Sequence, residues 1–107
     1  MERVKVAAMV EDIVGCKWSL RLLALLREQP QRPSAMQRAC RGLSAKVMNQ
    51  RLTKFQRFGL VRRRVHGDKP PVEVDYALTD LGSRFVVVLD AIGSLQRDLD
   101  GDCFAPR

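Results

Sequence analysis

A chain of 107 residues allows one compact domain and is too short for two ordinary ones, and its 46% hydrophobic and 29% charged residues exclude a disordered polyelectrolyte. No stretch approaches the ~18 apolar residues a bilayer span needs, and Glu2, Arg3, Val4 and Lys5 do not begin a signal peptide, so a cytoplasmic protein with no membrane partner is expected. Lys and Arg number 19 against 12 Asp and Glu, a formal net charge of +7 that speaks against an acidic or charge-balanced surface.

In chain order, Val6, Met9, Val10, Ile13 and Val14 fall on the i, i+3, i+4, i+7, i+8 stripe of an amphipathic first helix, over about residues 4–14. A second helix is predicted from about Lys17 to Glu28, with Trp18, Leu22, Leu25 and Leu26 on one side and Trp18 as a core anchor. Pro30 and Pro33 bound the connection that follows. A short third helix, about Ser34 to Cys40, turns Met36, Ala39 and Cys40 inward and stops near Gly42. Ser44 is a good N-cap for a fourth helix over about Ala45 to Phe58. That helix buries Met48, Leu52 and Phe55 and leaves Ala45, Lys46, Asn49, Gln50, Thr53, Lys54 and Arg57 outward, and Gly59 closes it. Leu60 to Val65 and Val72 to Leu78 read as two strands around the turn His66-Gly67-Asp68-Lys69-Pro70-Pro71. Thr79 caps a last helix running to about Leu99, over residues 80–99, and residues 100–107 form a frayed tail.

Two helices joined by a short Gly-containing turn, the second cationic on its free face, followed by a hairpin, make a winged helix-turn-helix. The expected fold is therefore mainly α with a small β-hairpin wing, an α+β domain over residues 1–107. The charge excess lies on this unit. No acidic residue falls between Glu28 and Asp68, whereas Arg32, Arg38, Arg41, Lys46, Arg51, Lys54, Arg57, Arg62, Arg63 and Arg64 do. Duplex DNA is the natural partner of such a segment, because each phosphate neutralised releases condensed counterions.

The N-terminal end of a recognition helix reaches base edges in the major groove. Asn49 and Gln50 suit adenine, which an amide pairs bidentately, while Lys46 suits either guanine or a phosphate. Arg51 lies off the outward face and either snorkels to a phosphate or packs structurally. Ser44, Ala45, Thr53, Lys54 and Arg57 complete the helical contact set, with Arg64, His66 and Lys69 from the wing. Arg62 and Arg64 share one strand face and Arg63 takes the other.

A single histidine in a turn, no phosphate-cradling glycine loop, and acidic pairs such as Glu11-Asp12 that read as solvated helix charges give no catalytic arrangement. Neither an enzyme nor a cofactor or metal is expected. Cys16, Cys40 and Cys103 are too far apart for a CxxC site. Cys40 reads as a small buried hydrophobe. Cys16, at the start of a helix beside Lys17, is the thiol to watch for redox sensing, although the default is that no cysteine is needed for binding. The alternative function is a protein-interaction module whose basic surface takes an acidic partner, and a salt-dependent shift with duplex DNA separates the two. With aromatic residues at only 6%, an RNA-binding role loses weight.

The order Gly15-Cys16-Lys17-Trp18, Gly42-Leu43-Ser44, Gln50-Arg51-Leu52, Gly59-Leu60-Val61, Pro70-Pro71 and Asp75-Tyr76-Ala77-Leu78-Thr79-Asp80-Leu81-Gly82 resembles the HxlR-type winged-helix transcription regulators, relatives of the MarR regulators. The likeness covers about Lys5 to Leu95. It implies a bacterial homodimer that binds an operator through the fourth helix and wing, with the first and last helices forming the dimer interface. Many members carry a redox cysteine where this chain has Lys5, so that sensing mode is not implied, and the wing has one extra residue around Val72.

The apolar pattern leads to the same dimer. Leu81, Phe85, Val88, Ile92, Leu95 and Leu99 are spaced 4, 3, 4, 3, 4 and are flanked by Val86 and Leu89, a stripe wider than one packing seam requires. Val6, Met9, Val10 and Ile13 of the first helix, with Val88, Ile92, Leu95 and Leu99 of the last, are the expected interface. A two-fold axis would set the recognition helices about 34 Å apart, on a pseudo-palindromic operator.

Overall fold

The computed structural model describes residues 5–100. Five helices and one hairpin follow in order: α1 (Val6–Gly15), α2 (Ser19–Glu28), α3 (Pro33–Ala39), α4 (Ala45–Arg57), β1 (Val61–His66), β2 (Glu73–Leu78) and α5 (Asp80–Leu99). This is the winged helix-turn-helix expected, mainly α with a two-stranded antiparallel wing. The expected tail and Cys103 lie outside the described residues, apart from Asp100.

The largest departure is at the second helix, which begins at Ser19 rather than Lys17. Trp18 adopts φ 77°, left-handed backbone that an L-residue enters at a cost of about 1–2 kcal/mol. The indole packs half-buried against the core, beside the turn at Gly42. Once the helix starts two residues later, α2 lies between α1, β2 and α5 and buries Leu22, Leu23 and Leu26, while Leu25 is only partly covered. Leu23, absent from the expected stripe, is 1% exposed because this helix is covered on two sides.

The helix-turn-helix is built from local signals. Pro33 opens α3, where its missing N–H costs nothing. Met36 and Cys40 point into the core, and Gly42 makes the left-handed turn. Ser44 Oγ accepts the Val47 N–H at 3.1 Å and starts α4, which buries Met48, Leu52 and Phe55 as its period requires. Gly59, at φ 77°, ends it, and the Leu60 N–H returns to the Phe55 carbonyl at 2.9 Å.

The wing pairs Val61 with Leu78 through His66 with Glu73. Its base is held from a direction the sequence did not announce: Gln31, between α2 and α3, exchanges two backbone hydrogen bonds with Tyr76, at 2.9 and 2.8 Å. Thr79 then joins wing to helix. Its hydroxyl accepts the Gly82 N–H at 3.0 Å and donates to the Gly59 carbonyl at 2.6 Å, while its own N–H donates to Leu60.

Along α5 the core takes Gly82, Phe85, Val86 and Leu89. Of the heptad stripe only Phe85 is buried, and Leu81, Val88, Ile92, Leu95 and Leu99 are exposed. The flanking Val86 and Leu89, not the stripe itself, are what α5 contributes to its own domain. On α1 the reverse holds: Met9 and Ile13 are 5% and 0% exposed, so they belong to the core and are withdrawn from the expected interface, while Val6 remains outside and Val10 half-covered.

Candidate nucleic-acid interface

On α4 the residues at Lys46, Asn49, Gln50, Thr53 and Arg57 are exposed and lie opposite Met48, Leu52 and Phe55, as a 3.6-residue period dictates. With Lys54 they line an open concavity of about 460 Å³. Lys46 and Arg57 have no ion pair among the described residues. Two amides and two unpaired cations therefore face solvent along one helix, an arrangement that can donate to base edges and phosphates together. Ser44 and Ala45 are exposed at its N-terminal end, the hydroxyl of Ser44 being engaged as the cap.

The acid-free segment proves acid-free only along the sequence. Three of its ten cations are paired with carboxylates brought in from outside it: Arg32 with Glu73, Lys54 with Asp12, and Arg64 with Asp75. Arg38, Arg41, Arg62 and Arg63 remain exposed, and they extend the cationic surface from the helix-turn-helix onto the wing. Arg51 is half-buried, and its Nε donates to the Lys17 carbonyl at 3.3 Å and ties α4 to the turn before α2. Lys54 Nζ lies 2.7 Å from Asp12 Oδ1, which corrects its expected place among the freely outward cations. That ammonium holds the Asp12 carboxyl below its usual range.

On the wing, His66 and Lys69 are exposed, whereas Arg64 is half-buried against its cross-strand neighbour Asp75. Its Nε and Nη2 donate to the two carboxylate oxygens at 2.7 and 2.9 Å, and His66 Nε2 lies 3.1 Å from the same carboxylate. Arg64 thus organises the strand pair rather than presenting a free charge, which removes it from the expected contact set. The fork of Arg64 holds Asp75 down to about 2, with His66 adding a smaller pull. Because the folded pKa is depressed, the pairing is complete above 3.8 and is lost as pH falls through about 2. The Asp75 carboxyl is expected to titrate by NMR near that lower value, and a midpoint at 3.8 would show that the fork is not formed.

Cys16 follows the end of α1 as its C-cap rather than starting a helix, with Sγ 3.5 Å from Asp12 Oδ1 and 4.0 Å from Lys54 Nζ. Cys16 thus does not occupy the helix-start position expected of it. Among the described residues no His, Cys, Asp and Glu come together as a metal site, and no helix is long and apolar enough to cross a membrane.

A family model described as HxlR-like helix-turn-helix matches residues 13–100. The chain is 29% identical over 82 residues to the HTH-type transcriptional regulator YkvN of Bacillus subtilis strain 168, covering 77% of this chain and 69% of that protein. To YvaP of the same organism, also named an HTH-type transcriptional regulator, it is 32% identical over 81 residues, 76% of this chain and 74% of the other. The crystal structure of a MarR-family regulator from Enterococcus faecalis V583 superposes with a TM-score of 0.77 over 94% of this chain and 92% of that one, and at 24% identity it bears on the fold alone. The named relatives are transcriptional regulators rather than enzymes. With its helix-turn-helix, its wing and the match across residues 13–100, the chain belongs to the HxlR-like helix-turn-helix family of transcriptional regulators.

Proposed function

We propose that the protein binds duplex DNA sequence-specifically as a homodimer on a pseudo-palindromic operator in the cytoplasm, with α4 in the major groove and the wing alongside. The observation that carries this reading is the free face of α4, where Gln50 and Asn49 stand between the unpaired cations Lys46 and Arg57. Amides on the exposed side of a helix that fits the major groove can discriminate adenine, and the flanking cations anchor the helix on phosphates. His66 and Lys69 extend the contact from the wing tip. Support for the dimer comes from Val88, Ile92, Leu95 and Leu99, which stay exposed on α5 after the domain has filled its own core.

The test is selection of bound sequences from random duplexes, followed by titration at several salt concentrations. Affinity is expected to fall steeply with salt, by roughly 0.9 in log–log slope per phosphate neutralised. Gln50→Ala is expected to cost about 1–3 kcal/mol on the selected site and little on random DNA. Equal losses on both would make Gln50 a phosphate contact. Salt-independent binding would favour the acidic-protein partner instead.

A further inference from the structure

Within α4, Val47, Arg51 and Lys54 recur at i, i+4 and i+7 and so share a flank that borders the line of Lys46, Gln50 and Arg57, with Lys54 at the shared edge. That flank rests on the corner between α1 and α2. Arg51 reaches the Lys17 carbonyl, and Lys54 reaches Asp12, 42 positions earlier in the chain. The Lys54 and Asp12 side chains are 28% and 35% exposed, so the pair sits at the rim of the concavity on the α4 face rather than inside the core. A lysine ammonium on a flexible four-carbon stem sweeps a wide arc once released. From this rim it would reach the phosphates beside the helix.

We propose that Asp12 is a positioning residue for DNA recognition: its carboxylate holds Lys54 off the DNA backbone and fixes the flank of α4 against α1. The assignment rests on the duplex binding proposed above. A phosphate contact from a mobile lysine strengthens binding to every sequence and carries no base information. Neutralising that lysine internally therefore lowers sequence-blind affinity. The same contact braces the helix whose amides read bases. Asp12 thus acts on the ratio of specific to non-specific binding without touching DNA.

The experiment measures affinity for a random duplex against salt for the wild-type protein, Asp12→Asn, Lys54→Gln and the double variant. Asp12→Asn is expected to bind random DNA more tightly and to steepen the slope by roughly 0.9 for each protomer engaged, an additional loss of about 3.5-fold between about 50 and about 200 mM salt. Lys54→Gln alone should keep the wild-type slope, and in the Asp12→Asn background it should restore that slope. If Lys54→Gln alone flattens the slope by roughly 0.9, Lys54 already contacts phosphate and the assignment is wrong. A steepening that persists in the double variant overturns it as well, because the effect would then be the loss of the Asp12 charge itself. Should Asp12→Asn fail to fold by circular dichroism, the slope of Lys54→Gln decides alone. A wild-type protein that binds no duplex overturns the proposed function and this assignment together, whereas duplex binding with the wrong slopes overturns only the latter.

Discussion

Leu95→Asp is expected to convert the protein to a monomer in sedimentation velocity at micromolar concentration and to weaken binding to a full operator by about 10²- to 10⁴-fold, the effective-concentration advantage of two linked sites. Leu95 is 66% exposed and Leu99 71%, on the same α5 stripe as Val88 and Ile92. None belongs to the buried core of the domain, so a charge placed at Leu95 leaves that core untouched. In a dimer joined through this stripe the same carboxylate would be taken out of water without a partner, which apolar contacts do not offset. Circular dichroism should remain that of the wild type, and weak half-site binding through α4 should persist. A wild-type protein that sediments as a monomer, or a Leu95→Asp variant that remains a dimer, would sink the proposed interface.

Gly82→Ala is expected to lower the melting temperature by about 8–16 °C, the effect of a net loss of about 2 kcal/mol at about 4–8 °C per kcal/mol for a domain of this size. Judged by helix propensity alone the substitution should stabilise by about 1 kcal/mol, since Gly82 lies inside α5. Packing reverses the sign. A Cβ there would run into the Leu60 carbonyl oxygen, with the Leu60 carbonyl carbon at 2.9 Å and Leu78 Cδ2 at 3.2 Å. That oxygen is also the acceptor of the Thr79 N–H, so moving it strains the junction where the wing meets α5. Overpacking of a tight contact costs about 1–3 kcal/mol, and more where backbone must shift. A melting temperature equal to or above that of the wild type would show that α5 slides off Leu60 without penalty.

Sequence reasoning located α4 and its readable face, because an N-cap, a closing glycine and a 3.6-residue period are all local, and they come from one stretch of chain between Ser44 and Gly59. The wing was legible for the same reason, to within a residue of each strand end. The Gln31–Tyr76 bridge was not, since nothing in the linker before α3 marks it as a strand.

Charge pairing does not follow distance along the chain. Lys54 and Arg64 looked unopposed, yet Asp12 and Asp75 meet them across 42 and 11 positions, and a charge pair forms wherever the fold brings opposite signs within hydrogen-bond reach. Burial on the terminal helices had the same character. Val6, Met9, Val10 and Ile13 have equal standing as a hydrophobic stripe, but once α2 packs against α1, Met9 and Ile13 close the core while Val6 stays outside. Which elements form, and which face of each is apolar, follows from local signals, because period, caps and turn residues act within a few positions. Which apolar side chains and which cations are left over for a partner depends on the folded arrangement, because burial and ion pairing are set by residues that become neighbours only after the chain has folded.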